Sequence, residues 1–479
     1  MVELAIELKA DAGDCLYRQI YEYIKNEIKE GKLQRNEKLP STRSLADYLQ
    51  VARSTVDTAY GQLLAEGYIE ARPYRGYYIC DIEGLLDISS LKESSYNKTE
   101  NDSDSAREEK KDPYRYDFSP HAISMKDFPF ATWKKITKDI LVDANSEMFA
   151  LGDAQGDLSL RETICRYLHS ARGVNATPSQ IIIGAGTDYL LMLLEKVLGR
   201  GISVAMDNPT YKRAYQVFQS FAYDINLLPM DESGMDMQAL YESDAKVAYV
   251  MPSHQYPTGI VMPIGRRMEL LKWAEQEEDR YLIEDDYDSE FRYKGKPIPA
   301  LQASDRQGKV IYMGTFSKSI APAIRVGYLV LPENLLDKYK KNCGCYASTV
   351  SRIDQRILDE FIRDGYFERY LNKMRKVYKD KHDFLLEKLS CFEDKFMISG
   401  ANAGLYVLFT SKSKITAEEL IRAAEEEKIK IYRVDKVFSD FEEYDEKYRY
   451  TILLGYGALS KEEIGEGIEM LRKAWNRYL

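Results

Sequence analysis

The chain has 479 residues, 44% of them hydrophobic and 30% charged, with a formal net charge of −10. That length exceeds one ordinary core and predicts several domains, while the acidic balance excludes indiscriminate binding to polyanions. No apolar run reaches the roughly 18 residues that a membrane span needs. The opening "MVELAIELKADAGD" has acids among its apolar residues and no basic n-region, so no signal peptide is expected and the expected compartment is the cytosol. The cysteines at 15, 80, 165, 343, 345 and 391 read as reduced thiols, since Cys343 and Cys345 form one C-x-C without the second pair zinc requires.

In chain order, Leu16, Ile20, Ile24 and Ile28 recur every fourth residue and predict a helix that Gly31 ends. Ser41 or Thr42 caps a short helix carrying Leu45 and Leu49. After a tight turn, a longer helix carries Val56, Ala59, Leu63 and Leu64 and stops at Gly67. "YIEARPYRGYYI" predicts two short strands about a turn with Pro73 and Gly76. Helix, turn, helix and β-wing in that order present the start of the second helix to a major groove. Arg53, Ser54, Thr55 and Asp57 then face base edges, Arg43 holds the backbone, and Arg72 and Arg75 reach a minor groove or a phosphate. Residues 1–80 hold 11 Lys/Arg against 12 Asp/Glu, so the position of the charges carries this reading and their sum does not. On spacing alone, a small helical domain for protein contacts fits as well.

Residues 87–115, "DISSLKESSYNKTENDSDSAREEKKDPYR", are poor in apolar side chains and cannot bury enough surface to offset their ordering entropy. A flexible linker is therefore expected over 83–116, between a module at 1–82 and a body at 117–479. In the body, "QIIIGAG", "ISVAMDNP", "AKVAYVMP", "RYLIEDD", "KVIYMGT" and "VGYLVLP" are short continuous apolar runs. Amphipathic stretches such as "PIGRRMELLKWAEQEE" separate many of them. The expected fold is α/β, a mostly parallel doubly wound sheet with a smaller C-terminal α+β domain.

The stretch "GTFSKSIAPAIRVGYLV" presents Lys318 just after a strand. A lysine alone is a weak signal, but a pyridoxal 5′-phosphate site also needs a carboxylate for the ring nitrogen, a phenol near the ring oxygen and donors for a phosphate dianion. Asp285 ends the strand "RYLIEDD", and Tyr287 follows two residues on. In "IIIGAGTDYL" a Gly turn opens a helix and offers Gly186 and Thr187 to the phosphate. Thr315, Ser317 and Arg325 complete that cup, and Tyr211 is placed to stack on the ring, with a core aromatic as its plainer reading. "EDDYDSE" holds five acids in seven residues, but without EF-hand spacing or a histidine partner no metal is expected.

The string "LPS-x-R-x-LA-x-x-L-x-V-x-R-x-TV" and its continuation resemble the GntR-type winged helix-turn-helix over residues 14–80. Residues 118–475 resemble fold-type I aminotransferases, and the whole chain is similar to MocR/GabR-type transcriptional regulators. The resemblance implies binding to double-stranded promoter DNA, a head-to-tail homodimer, and pyridoxal phosphate held by Lys318 as an internal aldimine. Three departures bear on activity. Tyr256 stands in "SHQYPTG" where aminotransferases usually have Asn, and Leu151 stands where they often have Tyr. In "TILLGYGALSKEE", Leu453 and Ala458 occupy positions where a carboxylate-binding Arg is expected. A buried carboxylate without its cation costs several kcal/mol, so Arg213, with Tyr256 in the effector pocket, and Arg433 are the substitutes to seek. The expectation is a sensor with little or no transaminase turnover, whose effector is pyridoxal phosphate itself or an amino compound. The alternative is a genuine aminotransferase with an accessory DNA-binding domain.

Overall fold

The computed structural model describes residues 4, 6, 8, 15–73, 75–80, 113–142, 146–293, 298–434 and 446–478. The chain divides into two compact units, Met1–Lys111 and Asp112–Leu479. Most of the segment expected to be a linker, 83–112, lies outside the described residues.

In the first unit, α1 (Leu16–Lys29), α2 (Thr42–Leu49) and α3 (Arg53–Ala65) surround one apolar core. An antiparallel hairpin of β1 (Ile69–Arg72) and β2 (Gly76–Ile79) follows. Ile20, Ile24 and Ile28 form the buried stripe of α1. On α3 the stripe is Val56, Ala59, Tyr60 and Leu63, whereas Leu64 is 41% exposed. Helical geometry explains the exchange: positions 56, 59, 60 and 63 share one face, and 64 falls beside it. The Tyr60 hydroxyl, buried there, donates to the Pro40 carbonyl at 3.0 Å. Ser41 caps α2 by accepting the Ser44 N–H at 3.1 Å. Ser41→Ala is expected to lower the unfolding free energy of this unit by about 1 kcal/mol, measured by chemical denaturation of the isolated residues 1–80.

The second unit is built on a seven-stranded sheet. Its strands are β3 (Ile181–Gly184), β4 (Ser203–Asp207), β5 (Asp224–Leu228), β6 (Val247–Val250), β7 (Tyr281–Asp286), β8 (Val310–Thr315) and β9 (Gly327–Val330). Their spatial order is β3-β9-β8-β7-β6-β4-β5. The run from β8 to β5 is parallel, and β9 is antiparallel to both its neighbours. Every strand except β5 is buried almost throughout, which is why each reads as a continuous apolar run. β5, at the sheet edge, is half exposed, and its "DINLL" carries no such run.

Helices α4 (Phe130–Val142), α5 (Leu158–Arg172), α6 (Thr187–Leu198), α7 (Lys212–Ser220) and α8 (Ile264–Glu275) accompany this sheet. The chain then enters α9 (Tyr366–Leu389) and a smaller antiparallel sheet. That sheet comprises β10 (Phe396–Ser399), β11 (Tyr406–Ser411), β12 (Tyr432–Arg433) and β13 (Thr451–Gly455), in the order β10-β11-β13-β12. Phe396, Phe409 and Trp475 stack beneath it. Among the described residues, no helix is long and apolar enough to cross a membrane, and no group of three or more metal-ligating side chains occurs.

Candidate functional site

Strand alternation sorts the acids of "IEDD" to opposite faces. Glu284 and Asp286 turn to one side. There Glu284 accepts the Leu301 and Gln302 N–H groups, and Asp286 pairs with Arg172 at 2.8 Å. Asp285 turns to the other side, into a cavity of about 620 Å³ at the C-terminal ends of the parallel strands. Such strand ends are where open α/β sheets hold ligands. Gly186, Thr187, Tyr211, Arg213, Tyr256, Tyr287, Thr315, Ser317, Lys318 and Arg325 line the same cavity. Arg433 does not; it is exposed and paired with Glu418 at 3.0 Å.

Lys318 is half-buried, and its ammonium donates to the Pro120 carbonyl at 2.9 Å. Burial brings its pKa down to about 8, because a desolvated ammonium is disfavoured. Asp285 is buried and pushed up to about 7, chiefly by desolvation and further by Asp286 and Asp288. The Tyr287 hydroxyl lies 3.0 Å from His254 Nδ1, which in turn meets Asp288 Oδ2 at 2.8 Å.

An anion cradle closes one end of the cavity. Gly186 caps α6 with φ of 86°, a backbone that favours glycine. A Cβ there would stand 2.9 Å from the Arg325 guanidinium, so the absent side chain makes room for it. Arg325 Nη2 reaches the Ala185 carbonyl at 3.2 Å and Asp188 Oδ2 at 3.3 Å. With the N-terminal amides of α6 and the hydroxyls of Thr187, Thr315 and Ser317, this set suits a phosphate dianion. The amine, carboxylate, phenol and cradle together fit pyridoxal phosphate, a fit that rests on the chemistry of the donors.

Other lining and supporting residues carried no signal in the sequence. The Gln255 amide donates to Asp207 at 3.2 Å and to the Pro209 carbonyl at 2.9 Å, and its oxygen accepts the Thr258 N–H at 3.0 Å. It thereby ties the loop bearing Tyr211 to the loop bearing Tyr256. His121 Nε2 lies 3.1 Å from the Tyr256 hydroxyl. Arg213 is bound to Asp188. Leu453 is buried within β13, opposite Leu408 and Tyr432.

On the first unit, Arg43, Arg53, Ser54 and Arg75 are exposed and Thr55 is half-buried. Arg53 pairs loosely with Asp57 at 3.5 Å, one turn along α3. Arg72 is engaged within the wing: it bonds Glu70 and Asn36 and lies 4.3 Å over the Tyr78 ring.

Residues 16–79 match the model of the bacterial regulatory proteins of the gntR family, and residues 123–442 match aminotransferase class I and II. The chain is 31% identical over 483 residues to the probable rhizopine catabolism regulatory protein MocR of Rhizobium meliloti, covering 98% of this chain and 95% of the relative. It is 30% identical over 408 residues to the pyridoxine biosynthesis transcriptional regulator PdxR of Corynebacterium glutamicum, covering 85% and 86%. Among solved structures, an archaeal alanine:glyoxylate aminotransferase superposes with a TM-score of 0.68 at 27% identity, covering 76% of this chain and 91% of that one.

Proposed function

The chain belongs to the MocR-type transcriptional regulators, a gntR-type winged helix-turn-helix fused to an aminotransferase-like domain, and from that membership we propose that it is a cytosolic promoter-binding protein reporting on pyridoxal phosphate. The observation that carries the proposal is the convergence of Lys318, Asp285, Tyr287 and Arg325 on one cavity. Pyridoxal phosphate, when bound, would supply a reactive aldehyde on an electron-withdrawing ring. Arg325, Thr187, Thr315 and Ser317 would hold its phosphate, with the amides of Gly186 and Thr187. Asp285 would keep a proton on the ring nitrogen, Tyr287 would donate toward the ring oxygen, Tyr211 would cover the ring face, and Lys318 would anchor the aldehyde end.

Little or no transaminase turnover is proposed for the same cavity. Leu453 and Ala458 offer no cation, Arg213 is bound to Asp188, and Arg433 pairs with Glu418 outside the cavity. A substrate carboxylate would therefore meet no arginine in the usual clamp positions, and exposed Lys212 would be a flexible point charge in place of a bidentate partner. Those features, together with the relative named for pyridoxine biosynthesis, favour the cofactor itself as effector over an amino compound. A homodimer, which would cover the exposed apolar side chains Phe130, Val142, Phe149 and Leu151 on α4 and the segment after it, is proposed as well, its head-to-tail arrangement being what the family resemblance implies.

The proposal is tested by gel shift on the DNA upstream of the gene for this chain. Apoprotein, cofactor-loaded protein and protein with amino compounds are run side by side. Apo and loaded forms are expected to differ in DNA affinity, and amino compounds to add nothing. An effect of amino compounds without an effect of loading would overturn the effector reading. Steady transamination with 2-oxoglutarate would favour the enzyme alternative. In the same assay, Arg53→Ala is expected to weaken specific binding by about 1–3 kcal/mol and to relax the preference at one base.

A further inference from the structure

Asp285 is two residues beyond Ile283 on β7, and the parallel strand β6 sets Tyr249 opposite Ile283. The Tyr249 side chain shares the sheet face of Asp285, and its hydroxyl donates to Asp285 Oδ2. The ring has no solvent exposure and packs edge-on against Phe218 of α7 at 5.7 Å. Met206, Ile283 and Met313 belong to the same apolar cluster. A phenylalanine would fill that space equally well, so packing does not account for the hydroxyl. A buried phenol needs a partner, and here the partner is the carboxylate facing the cavity.

We propose that Tyr249 is a positioning residue for Asp285: it fixes one carboxylate oxygen and leaves the other, on an anion, for the ring N–H of bound pyridoxal phosphate. This inference rests on the cofactor reading above. Asp286 and Asp288 add negative charge beside Asp285 along its own chain, and Tyr211 stands near it from the loop before α7. Lys318 and Arg325 line the same cavity. Burial and the two aspartates favour the protonated acid, and the Tyr249 hydrogen bond opposes them. Without that bond Asp285 would keep its proton through neutral pH, and an acid O–H would face the ring N–H, donor against donor.

The test compares wild type, Tyr249→Phe, Asp285→Asn and the double variant. Pyridoxal phosphate is titrated into each from pH 6 to 9, and binding is followed by tryptophan fluorescence and visible absorbance. In Y249F the dissociation constant at pH 7 is expected to rise on the order of tenfold. The pH midpoint of binding is expected to move up by about one unit. In the D285N background the same change should alter affinity by less than about twofold. An equal loss in both backgrounds, or an unmoved midpoint, overturns the assignment and leaves the cofactor reading standing. A second readout needs no cofactor. The infrared band of protonated buried carboxyls in the apoprotein at pH 7, to which Asp207, Glu284 and Glu290 also contribute, should grow in Y249F over wild type and show no such growth between Asp285→Asn and the double variant. A band that does not grow overturns the assignment as well. If wild type takes up no pyridoxal phosphate, the cofactor reading fails, and the assignment falls with it.

Discussion

Replacing Lys318 with alanine is expected to abolish the visible absorbance of cofactor-treated protein and its retention of cofactor through gel filtration. Lys318 is the amine in the cavity wall whose pKa has been brought near neutrality, to about 8. Only the neutral amine is a nucleophile. At pH 6 about one molecule in a hundred carries it, and at pH 8 about half do. The rate of cofactor loading should therefore rise close to tenfold per pH unit between 6 and 7.5 and level off above 8. Asp285, with its pKa near 7, becomes an anion over the same interval, so equilibrium binding, as distinct from the rate set by the amine, should also tighten as pH rises. In Lys318→Ala the phosphate cradle remains, and equilibrium binding should weaken by more than about a hundredfold, roughly 3 kcal/mol. Stopped-flow absorbance against pH, with the alanine variant as blank, checks both the loss and the slope. A flat profile in wild type would show that another step limits loading.

Asp286→Ala is expected to be the most destabilising single change near the site. The carboxylate of Asp286 and the guanidinium of Arg172 have side-chain exposures of 1% and 5% and meet at 2.8 Å. The Tyr312 hydroxyl also donates to Asp286, at 2.5 Å. Arg172 closes α5 and in addition bonds Ser253 and the Ile298 carbonyl. Removing the acid strands a buried cation, and the loss should be about 3–5 kcal/mol. Replacing both partners with apolar residues of similar size should cost much less, because no charge is then left unpaired. The urea unfolding midpoints of the single and paired variants distinguish the two cases. Asp285→Asn, one residue away on the opposite face, should leave that midpoint nearly unchanged while impairing cofactor binding.

The contrast between those adjacent acids explains what the sequence could and could not disclose. Lys318, Asp285, Tyr287, Gly186 and Arg325 sit at fixed offsets from strand ends, so local patterns marked them before any packing was known. Most strands of the large sheet were legible for the same reason, since burial on both faces leaves an unbroken apolar run. The edge strand Asp224–Leu228 was not, because half of it faces solvent. Tyr249 lies 36 residues from its partner and meets it only through the register of two parallel strands. Gln255 likewise gains its role from two loops brought together by folding. Tyr60 took the place expected for Leu64 because one residue along a helix turns a side chain by about 100°. Arg433 was a reasonable candidate by charge, yet its strand points it at Glu418.

The bond from Lys318 to the Pro120 carbonyl has a consequence for selection on this protein. Pro120 lies in a segment held against β13, where Gly455 donates its N–H to the Phe118 carbonyl and lacks a side chain that would strike Ser119. A nitrogen that takes a covalent partner cannot keep that hydrogen bond unchanged, so on the proposed function the Pro120 carbonyl and the cofactor would compete for the same atom. On that proposal, a substitution that stabilises the Lys318–Pro120 hydrogen bond and leaves the cofactor-bound state unchanged would weaken cofactor uptake by the same factor. On the proposed function, affinity for the cofactor would then be tunable from the segment around Pro120, whose neighbour His121 lines the cavity.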